Sequence, residues 1–354
     1  MNRFSAFDDA MMRRALELAA KGLYTTTPNP RVGCVVTRGE QVIGEGWHEK
    51  AGGPHAEARA LDNVDAAGAT VYVNLEPCAH QGRTPPCVDL LIKKKVKRVV
   101  AAMPDPNPQA AGGADRLRAA GVDFQAGLHE DEARELNIGF ISRVTRRRPW
   151  VRLKVAATLD GRTALEDGRS QWITGAEARR DGHHWRARAC AILTGIGTVK
   201  ADDPQLTVRD VETPRQPLRV VIDSRLETPR DARILQGERV LVFAAREGDL
   251  PNAEVVVLPN ALGKVELPQM LEALADRGIN ELHVEAGFRL NGSLVRERCV
   301  DEFLVYLNPS FLGDSAQGML DLPAAASLDE RLRLRIASVE KLGGDLRLLA
   351  RLAA

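Results

Sequence analysis

Cysteine is scarce in this chain, with five residues at Cys34, Cys78, Cys87, Cys190 and Cys299. An odd and scattered set is no disulfide framework, and it points to a reducing cytoplasm. Net charge is nearly absent as well. At a formal +1 the chain has no bulk electrostatic attraction to nucleic acid or to a membrane surface. No apolar run approaches the length of a membrane span, and Met1 to Asp8 lacks the apolar core of a signal peptide. The Gly-x-Gly-x-x-Gly dinucleotide fingerprint is also missing. What remains is ordinary for a soluble globular protein: 44% hydrophobic and 27% charged residues, at a length that suits two domains.

Against that background one stretch stands out. Pro54-His-Ala-Glu57 is followed by Glu76-Pro-Cys78 and, after eight intervening residues, Cys87. One imidazole and two thiolates suit a tetrahedral zinc ion with its fourth position open. Glu57 lies two residues beyond His55. Inside a helix such residues face apart, so the pair works only at a helix start, which Gly52-Gly53-Pro54 signals. There His55 holds the metal while Glu57 reaches the metal's water. His-x-Glu followed by Pro-Cys and a further Cys is the layout of zinc deaminases, with Glu as proton shuttle. The intercysteine gap departs from the short Pro-Cys-x-x-Cys form. A lone His-x-Glu is weak, and buried cysteines are often core filler; three ligand types with a placed carboxylate are harder to dismiss.

Around this stretch the first half alternates helix and strand, the pattern of an α/β layered domain. Helices are expected over residues 8–21, from His55 to about Asp65, from Cys87, over 112–120 and over 130–143. Strands are expected over 32–37 and 41–46, joined as a hairpin at Arg38-Gly39-Glu40, and over 69–75 and 96–102. The strand at 69–75 delivers Cys78 at its carboxyl end, where sites in open α/β sheets gather. Asn29, His48, His80 and Arg83 cluster near the ligands in sequence and are candidates for a polar heterocycle and its phosphate. Lys93-Lys-Lys-Val-Lys-Arg98 reads as a solvated face at a helix end.

The arginine triplet before Pro149 marks a boundary, giving domains 1–146 and 147–354. The second half carries apolar runs at 150–157, 189–194, 218–224, 240–245, 253–258, 281–285 and 302–307, with helical segments between, and reads as a mainly parallel sheet with flanking helices. Its chemistry is less explicit. Glu285-Ala-Gly287 leaves a strand and enters a helix, a place where backbone amides cradle phosphate. Read from residues alone, this half is a nucleotide or phosphate site of unnamed reaction.

Together the halves resemble the bifunctional deaminase/reductase family of riboflavin biosynthesis. The likeness rests on Thr27-Pro-Asn-Pro-Arg-Val-Gly-Cys34, Pro54-His-Ala-Glu57, Leu75 to Cys87 with its long intercysteine loop, and Asp105-Pro-Asn-Pro108. In the second half it rests on Thr158-Leu-Asp-Gly-Arg-Thr163, Ser170-Gln-Trp-Ile-Thr174, Ala201-Asp-Asp-Pro204, Leu206-Thr-Val-Arg209, Val221-Ile-Asp-Ser224 and Val284-Glu-Ala-Gly287. The resemblance implies a cytidine-deaminase-like α/β/α domain followed by a dihydrofolate-reductase-like domain. It implies one zinc ion per chain on His55, Cys78 and Cys87, with Glu57 as acid/base. Water activated on zinc then removes the 2-amino group of 2,5-diamino-6-(5-phosphoribosylamino)pyrimidin-4-one. NADPH reduces the ribosyl group of the product to give 5-amino-6-(5-phosphoribitylamino)uracil. The family pattern places Ala157, Trp172, Thr198, Asp202, Ser224 and Gly287 on NADPH. It places Ser170, Arg186, Leu206, Arg209 and Glu285 on the substrate, with Arg186 and Arg209 suited to the 5-phosphate. Expected partners are phosphorylated pyrimidines and further copies of the chain, with no nucleic acid and no membrane.

Two rivals compete. A nucleoside or tRNA deaminase with an unrelated second domain needs basic approaches to RNA, which the balanced charge does not offer. A zinc-stabilised nucleotide-binding regulator without turnover needs a fourth protein ligand closing the metal; His80 is the candidate that keeps this reading open.

Overall fold

The computed structural model describes residues 4–81, 85–238 and 240–353. The chain divides into two compact units, Met1–Arg147 and Arg148–Ala354.

The first unit runs α1 (Ala6–Ala20), β1 (Gly33–Arg38), β2 (Gln41–Trp47), α2 (Ala56–Ala60), β3 (Thr70–Val73), α3 (Cys87–Lys93), β4 (Arg98–Ala101), α4 (Gly113–Ala119), β5 (Asp123–Ala126), α5 (Glu130–Leu136) and α6 (Ile138–Arg146). Its sheet has the order β2-β1-β3-β4-β5. The β1–β2 and β1–β3 pairs are antiparallel; β3–β4 and β4–β5 are parallel. Aliphatic strand residues feed one core against α2, α3 and α4 on one face. A second cluster forms against α1, through Met12, Ala15 and Leu18. Ser5 and Asp8 cap α1 reciprocally, and the Asp8 carboxylate also accepts from Tyr72 Oη (2.7 Å) and Arg98 Nη1 (2.6 Å), tying the helix start to β3 and β4. Gly33 permits the close approach of α1: a Cβ there would lie 2.0 Å from Ala15 O.

Two helices differ from the sequence expectation. The helix after His55 stops at Ala60, because Leu61 leaves helical geometry. The expected helix over 130–143 is two helices, broken at Asn137 (φ −108°, ψ 18°). Asn137 turns its amide to hydrogen bonds with Arg31 instead of continuing the helix.

The second unit runs β6 (Trp150–Thr158), β7 (Arg162–Ala164), α7 (Ala176–Arg188), β8 (Ala191–Gly195), α8 (Ile196–Asp202), β9 (Leu218–Ile222), β10 (Val240–Ala244), β11 (Ala253–Val257), α9 (Leu267–Asp276), β12 (Glu281–Val284), α10 (Phe288–Arg296), β13 (Glu302–Asn308), β14 (Gln317–Gly318), β15 (Leu334–Leu342) and β16 (Asp345–Leu352). Nine strands form one sheet, ordered β11-β10-β9-β8-β12-β6-β13-β16-β15. Pairing is parallel from β11 to β13, and the closing β15–β16 hairpin is antiparallel to β13. That hairpin is absent from the sequence reading. Its alternation of Arg, Glu and Lys with aliphatic residues gives little contrast, and most of β15 is exposed.

Central strand β6 carries Arg152 into the interior with 1% of its side chain exposed. It pairs with Glu302 (2.5 Å) and Glu281 (3.1 Å), and Trp185 lies under its guanidinium. A charge this deep persists only when paired and hydrogen-bonded.

Candidate active sites

In the first unit the ligand candidates come from three element ends. His55 is the extended N-cap of α2 (φ −71°, ψ 163°), Cys87 is the first residue of α3, and Cys78 lies in the loop after β3. Since His55 is extended, residue 57 is not forced to its opposite side, and Glu57 sits buried in the first turn of α2 with 4% exposure. His55 Nδ1 is 3.3 Å from Cys87 Sγ and 3.6 Å from Cys78 Sγ, and all three ligand atoms lie within 4.8 Å of one another. A tetrahedral zinc with ordinary Zn–N and Zn–S bonds requires N···S separations of about 3.6 Å. The donor set and its spacing therefore fit zinc. Among the described residues no fourth His, Cys, Asp or Glu joins the group; His80 is exposed and outside it.

The electrostatics follow from crowding. The hydrogen bond from Cys87 pushes the Cys78 thiol down to about 4, with His55 adding to the effect, and the same bond pushes Cys87 up. Burial, then the Cys78 charge, raises the Glu57 carboxyl above its ordinary range. Asp105, past the end of β4, is pushed up to about 6 by burial and by the neighbouring Glu76, Cys78 and Glu57 charges. Sequence reasoning noted its motif but gave it no role.

Asn29 and His48 are brought together at this centre. Asn29 Nδ2 is 3.0 Å from His48 Nε2, His48 Nδ1 is 3.0 Å from Pro54 O, and the His48 ring stands edge-on to His55 at 5.6 Å. Burial lowers the His48 pKa, which favours the neutral ring. Arg83 lies outside the described residues.

The second unit holds a cleft of about 1650 Å³. It opens past the carboxyl ends of β9, β8 and β12, three adjacent parallel strands. Ser224 follows β9. Gly195 and Gly287 begin α8 and α10 without side-chain caps, leaving first-turn amides for a ligand. A Cβ on Gly287 would lie 3.7 Å from Thr198 Oγ1, so the two helix starts face one another. A small-molecule pocket is typically about 300–1,000 Å³, so this cleft has room for a dinucleotide and a second molecule. Size and uncapped helix starts fit NADPH.

The cleft lining includes Trp172, Thr198, Asp202, Ser224 and Gly287 of the cofactor candidates, and all five substrate candidates, Ser170, Arg186, Leu206, Arg209 and Glu285. Ala157 follows Lys154, Val155 and Ala156, which line the cleft from β6; its own side chain is buried in the core, which leaves its backbone for a cofactor contact. Trp172 is 72% exposed, with the Arg179 guanidinium 4.8 Å from its ring. Burial raises the Asp202 carboxyl. Arg186 grips Glu285 in a fork (Nε 2.5 Å, Nη2 2.9 Å) and donates to Thr207 O (3.0 Å), so its donors are largely committed within the protein. Arg209 is exposed, with Nη1 on Thr207 Oγ1.

Sequence reasoning missed Lys154. It lines the cleft from β6, deep enough that burial lowers its pKa against the pull of Glu285. A signal existed. Arg152 and Lys154 alternate with Val151, Leu153 and Val155, and in a strand paired on both sides by parallel neighbours such charges face the interior or a site.

Comparison with known proteins covers both units. Residues 5–103 match the family model of the cytidine and deoxycytidylate deaminase zinc-binding region, and residues 149–348 match that of the RibD C-terminal domain. The riboflavin biosynthesis protein RibD of Escherichia coli is 44% identical over 357 residues, covering 96% of this chain and 97% of its own length. The Haemophilus influenzae protein of the same name is 44% identical over 368 residues, covering 98% of each. Among solved structures, Acinetobacter baumannii RibD superposes with a TM-score of 0.92 at 43% identity, covering 98% of this chain and 99% of that one. A Thermotoga maritima diaminohydroxyphosphoribosylaminopyrimidine deaminase/5-amino-6-(5-phosphoribosylamino)uracil reductase superposes at 0.90 with 34% identity and the same coverage.

Proposed function

The chain belongs to the RibD family of riboflavin-biosynthesis proteins, and from that premise we propose how its two sites divide the chemistry. It is a bifunctional enzyme, a zinc-dependent deaminase joined to an NADPH-dependent reductase, with a cytidine-deaminase-like first domain and a dihydrofolate-reductase-like second domain. Its substrates are phosphorylated pyrimidines. More finely, they are 2,5-diamino-6-(5-phosphoribosylamino)pyrimidin-4-one for the first site and the deaminated product for the second, a reading supported by the activities named for the Thermotoga relative.

In the deaminase site His55, Cys78 and Cys87 hold zinc, which when bound lowers the pKa of a coordinated water. Glu57 takes a proton from the attacking water and delivers it to the departing ammonia, from a buried position in the first turn of α2 beside the ligand group. Asn29, His48, His80 and Arg83 are the candidate substrate contacts. In the reductase cleft Trp172, Thr198, Asp202, Ser224 and the Gly287 helix start hold NADPH, which supplies hydride to the ribosyl carbon. Arg186 keeps Glu285 ionised and fixed toward the substrate. With that fork engaged, the 5-phosphate falls to Arg209, beside Ser170 and Leu206. Lys154 joins them as a donor to the substrate. The observation that carries the division of labour is the His55–Cys78–Cys87 group with buried Glu57 beside it.

The test is to incubate zinc-loaded protein with the diaminopyrimidine ribosyl phosphate and follow ammonia and NADPH. Ammonia without NADPH, and oxidation when NADPH is added, is the expected order; oxidation with no ammonia release would overturn it.

A homo-oligomer is supported by the β15–β16 hairpin. The sheet face that is covered at β6 and β13 continues onto Leu334, Ile336, Val339, Leu346 and Leu352, all 37–56% exposed. Contiguous aliphatic surface of this kind marks an association site. Ile336→Lys is expected to shift the mass in analytical ultracentrifugation toward monomer. No helix among the described residues is long and apolar enough to cross a membrane, and the balanced charge gives no reason for a nucleic-acid partner.

A further inference from the structure

The loop that presents Asn29 to the deaminase site is held from behind by two buried asparagines far away in sequence. We propose that Asn137, seconded by Asn74, is a positioning residue for deamination, fixing the place and polarity of the Asn29 amide without touching the substrate.

The geometry is a set of hydrogen bonds centred on Arg31. Arg31, two residues after Asn29, has both backbone groups taken by side chains. Its N–H donates to Asn137 Oδ1 (2.8 Å), and its carbonyl accepts from Asn137 Nδ2 (3.0 Å) and Asn74 Nδ2 (2.9 Å). Asn74 Oδ1 accepts from Gly33 N (2.8 Å), so the chain is pinned on both sides of Val32. The Arg31 guanidinium donates to Leu136 O (2.6 Å), and Arg143 Nη2 donates to Pro28 O (3.1 Å). Asn137, Leu136 and Arg143 lie at the break, on α5 and on α6, while Arg31 Nη2 also donates to Leu23 O (3.3 Å) after α1. Asn137 and Asn74 are 1% and 0% exposed. A buried amide that spends its donor and acceptor on the N–H and C=O of one residue fixes the two peptide units that flank it, and breaking α5 from α6 is what points Asn137 at them.

At the other end of the loop the bonding sets which way the Asn29 amide faces. Pro54 O can only accept, so His48 Nδ1 carries the proton; on a neutral ring Nε2 is then an acceptor and takes the hydrogen of Asn29 Nδ2. Asn29 Oδ1 is left as an acceptor for an N–H of the pyrimidine. The clamp on Arg31 holds the loop at the distance where this works.

The inference rests on the reading of Asn29 as a substrate contact, and the experiment separates the two. Ammonia release is measured for the full-length, zinc-loaded Asn29→Ala, Asn137→Ala and double variants, and for Asn137→Asp, which keeps the acceptor for Arg31 N but loses the donor to Arg31 O. Bound zinc and the thermal transition of the deaminase unit, which holds both asparagines, report that this unit is folded in each variant. Losing one aligned hydrogen bond predicts a KM raised about tenfold in each single variant, with kcat nearly unchanged. The double variant should be no worse than Asn29→Ala, and Asn137→Asp intermediate. Effects that multiply in the double variant, or a KM unchanged in Asn137→Ala while Asn29→Ala raises it, would overturn the proposal. An unchanged KM in Asn29→Ala would remove the substrate contact itself, and the clamp's role with it.

Discussion

Replacing Glu285 with glutamine removes a negative charge from a place where the matching positive charge has little access to water. Arg186 and Glu285 each have 15% of their side chain exposed, and the guanidinium engages both carboxylate oxygens. Removing one partner of a buried pair costs about 3–5 kcal/mol, because the other charge stays behind uncompensated. Glutamine keeps the shape and one acceptor, so the lower end applies, about 3 kcal/mol. In a unit of roughly 200 residues each kcal/mol moves the midpoint by about 2–4 °C, which gives a fall of about 6–12 °C. Calorimetry of the whole chain reads this on the transition of the reductase unit, and ammonia release should be unaffected. The pH dependence has a definite sign. Burial alone would raise the Glu285 carboxyl, but Arg186 overrides it and holds the group well below its ordinary 4.5. A carboxyl depressed in the folded state contributes stability above its unfolded pKa and loses it as pH falls. The gap between wild type and variant should therefore be flat around neutrality and close below about pH 4.5. A variant melting within about 2 °C of wild type at pH 7, or a gap that widens on acidification, would refute the reasoning.

Three further outcomes are expected. Gly33→Ala puts a Cβ 2.0 Å from Ala15 O and 2.5 Å from Ala19 N, contacts with helix backbone that cannot swing away; it should destabilise the deaminase unit by about 1–3 kcal/mol or more, seen as a lowered midpoint and lost ammonia release. Chelation of zinc should abolish ammonia release and leave NADPH oxidation of pre-deaminated substrate intact, measured on one sample before and after metal is restored. Lys154→Met should lower reductase kcat/KM by about 10–100-fold, the range for losing a charged hydrogen bond, with deaminase kinetics unchanged.

How much of this was legible in the sequence depends on whether a residue acts through its neighbours in the chain or through distant ones. His55, Glu57 and Cys78 were readable because each sits at an element end that its own local sequence announces: Gly-Gly-Pro before His55, a β-branched strand before Cys78. The parallel core of the second unit was readable from its apolar runs. The break at Asn137 was not, since Ala133, Leu136, Phe140 and Ile141 keep apolar residues at helical spacing across it, and the bonds that reward breaking reach Arg31, over a hundred positions away. Arg186 is a similar case. Its side chain suits a phosphate, and only the fold shows that Glu285 already occupies it. Ala157 carried no local signal either way, and the structure buries its side chain in the core. The β15–β16 hairpin escaped because an exposed strand alternating charged and aliphatic residues has little hydrophobic contrast to read.

The central claim is that one chain carries two chemically independent sites, with Glu57 moving protons in only one of them. Glu57→Gln removes that function while keeping the side chain's size at a buried position. Ammonia release from the diaminopyrimidine ribosyl phosphate and NADPH oxidation on the pre-deaminated compound should be measured on the same zinc-loaded preparation. The account predicts loss of the first by at least about a hundredfold, the usual worth of a general acid–base, and retention of the second. Ammonia release that persists in the variant, or NADPH oxidation that disappears with it, would contradict the account.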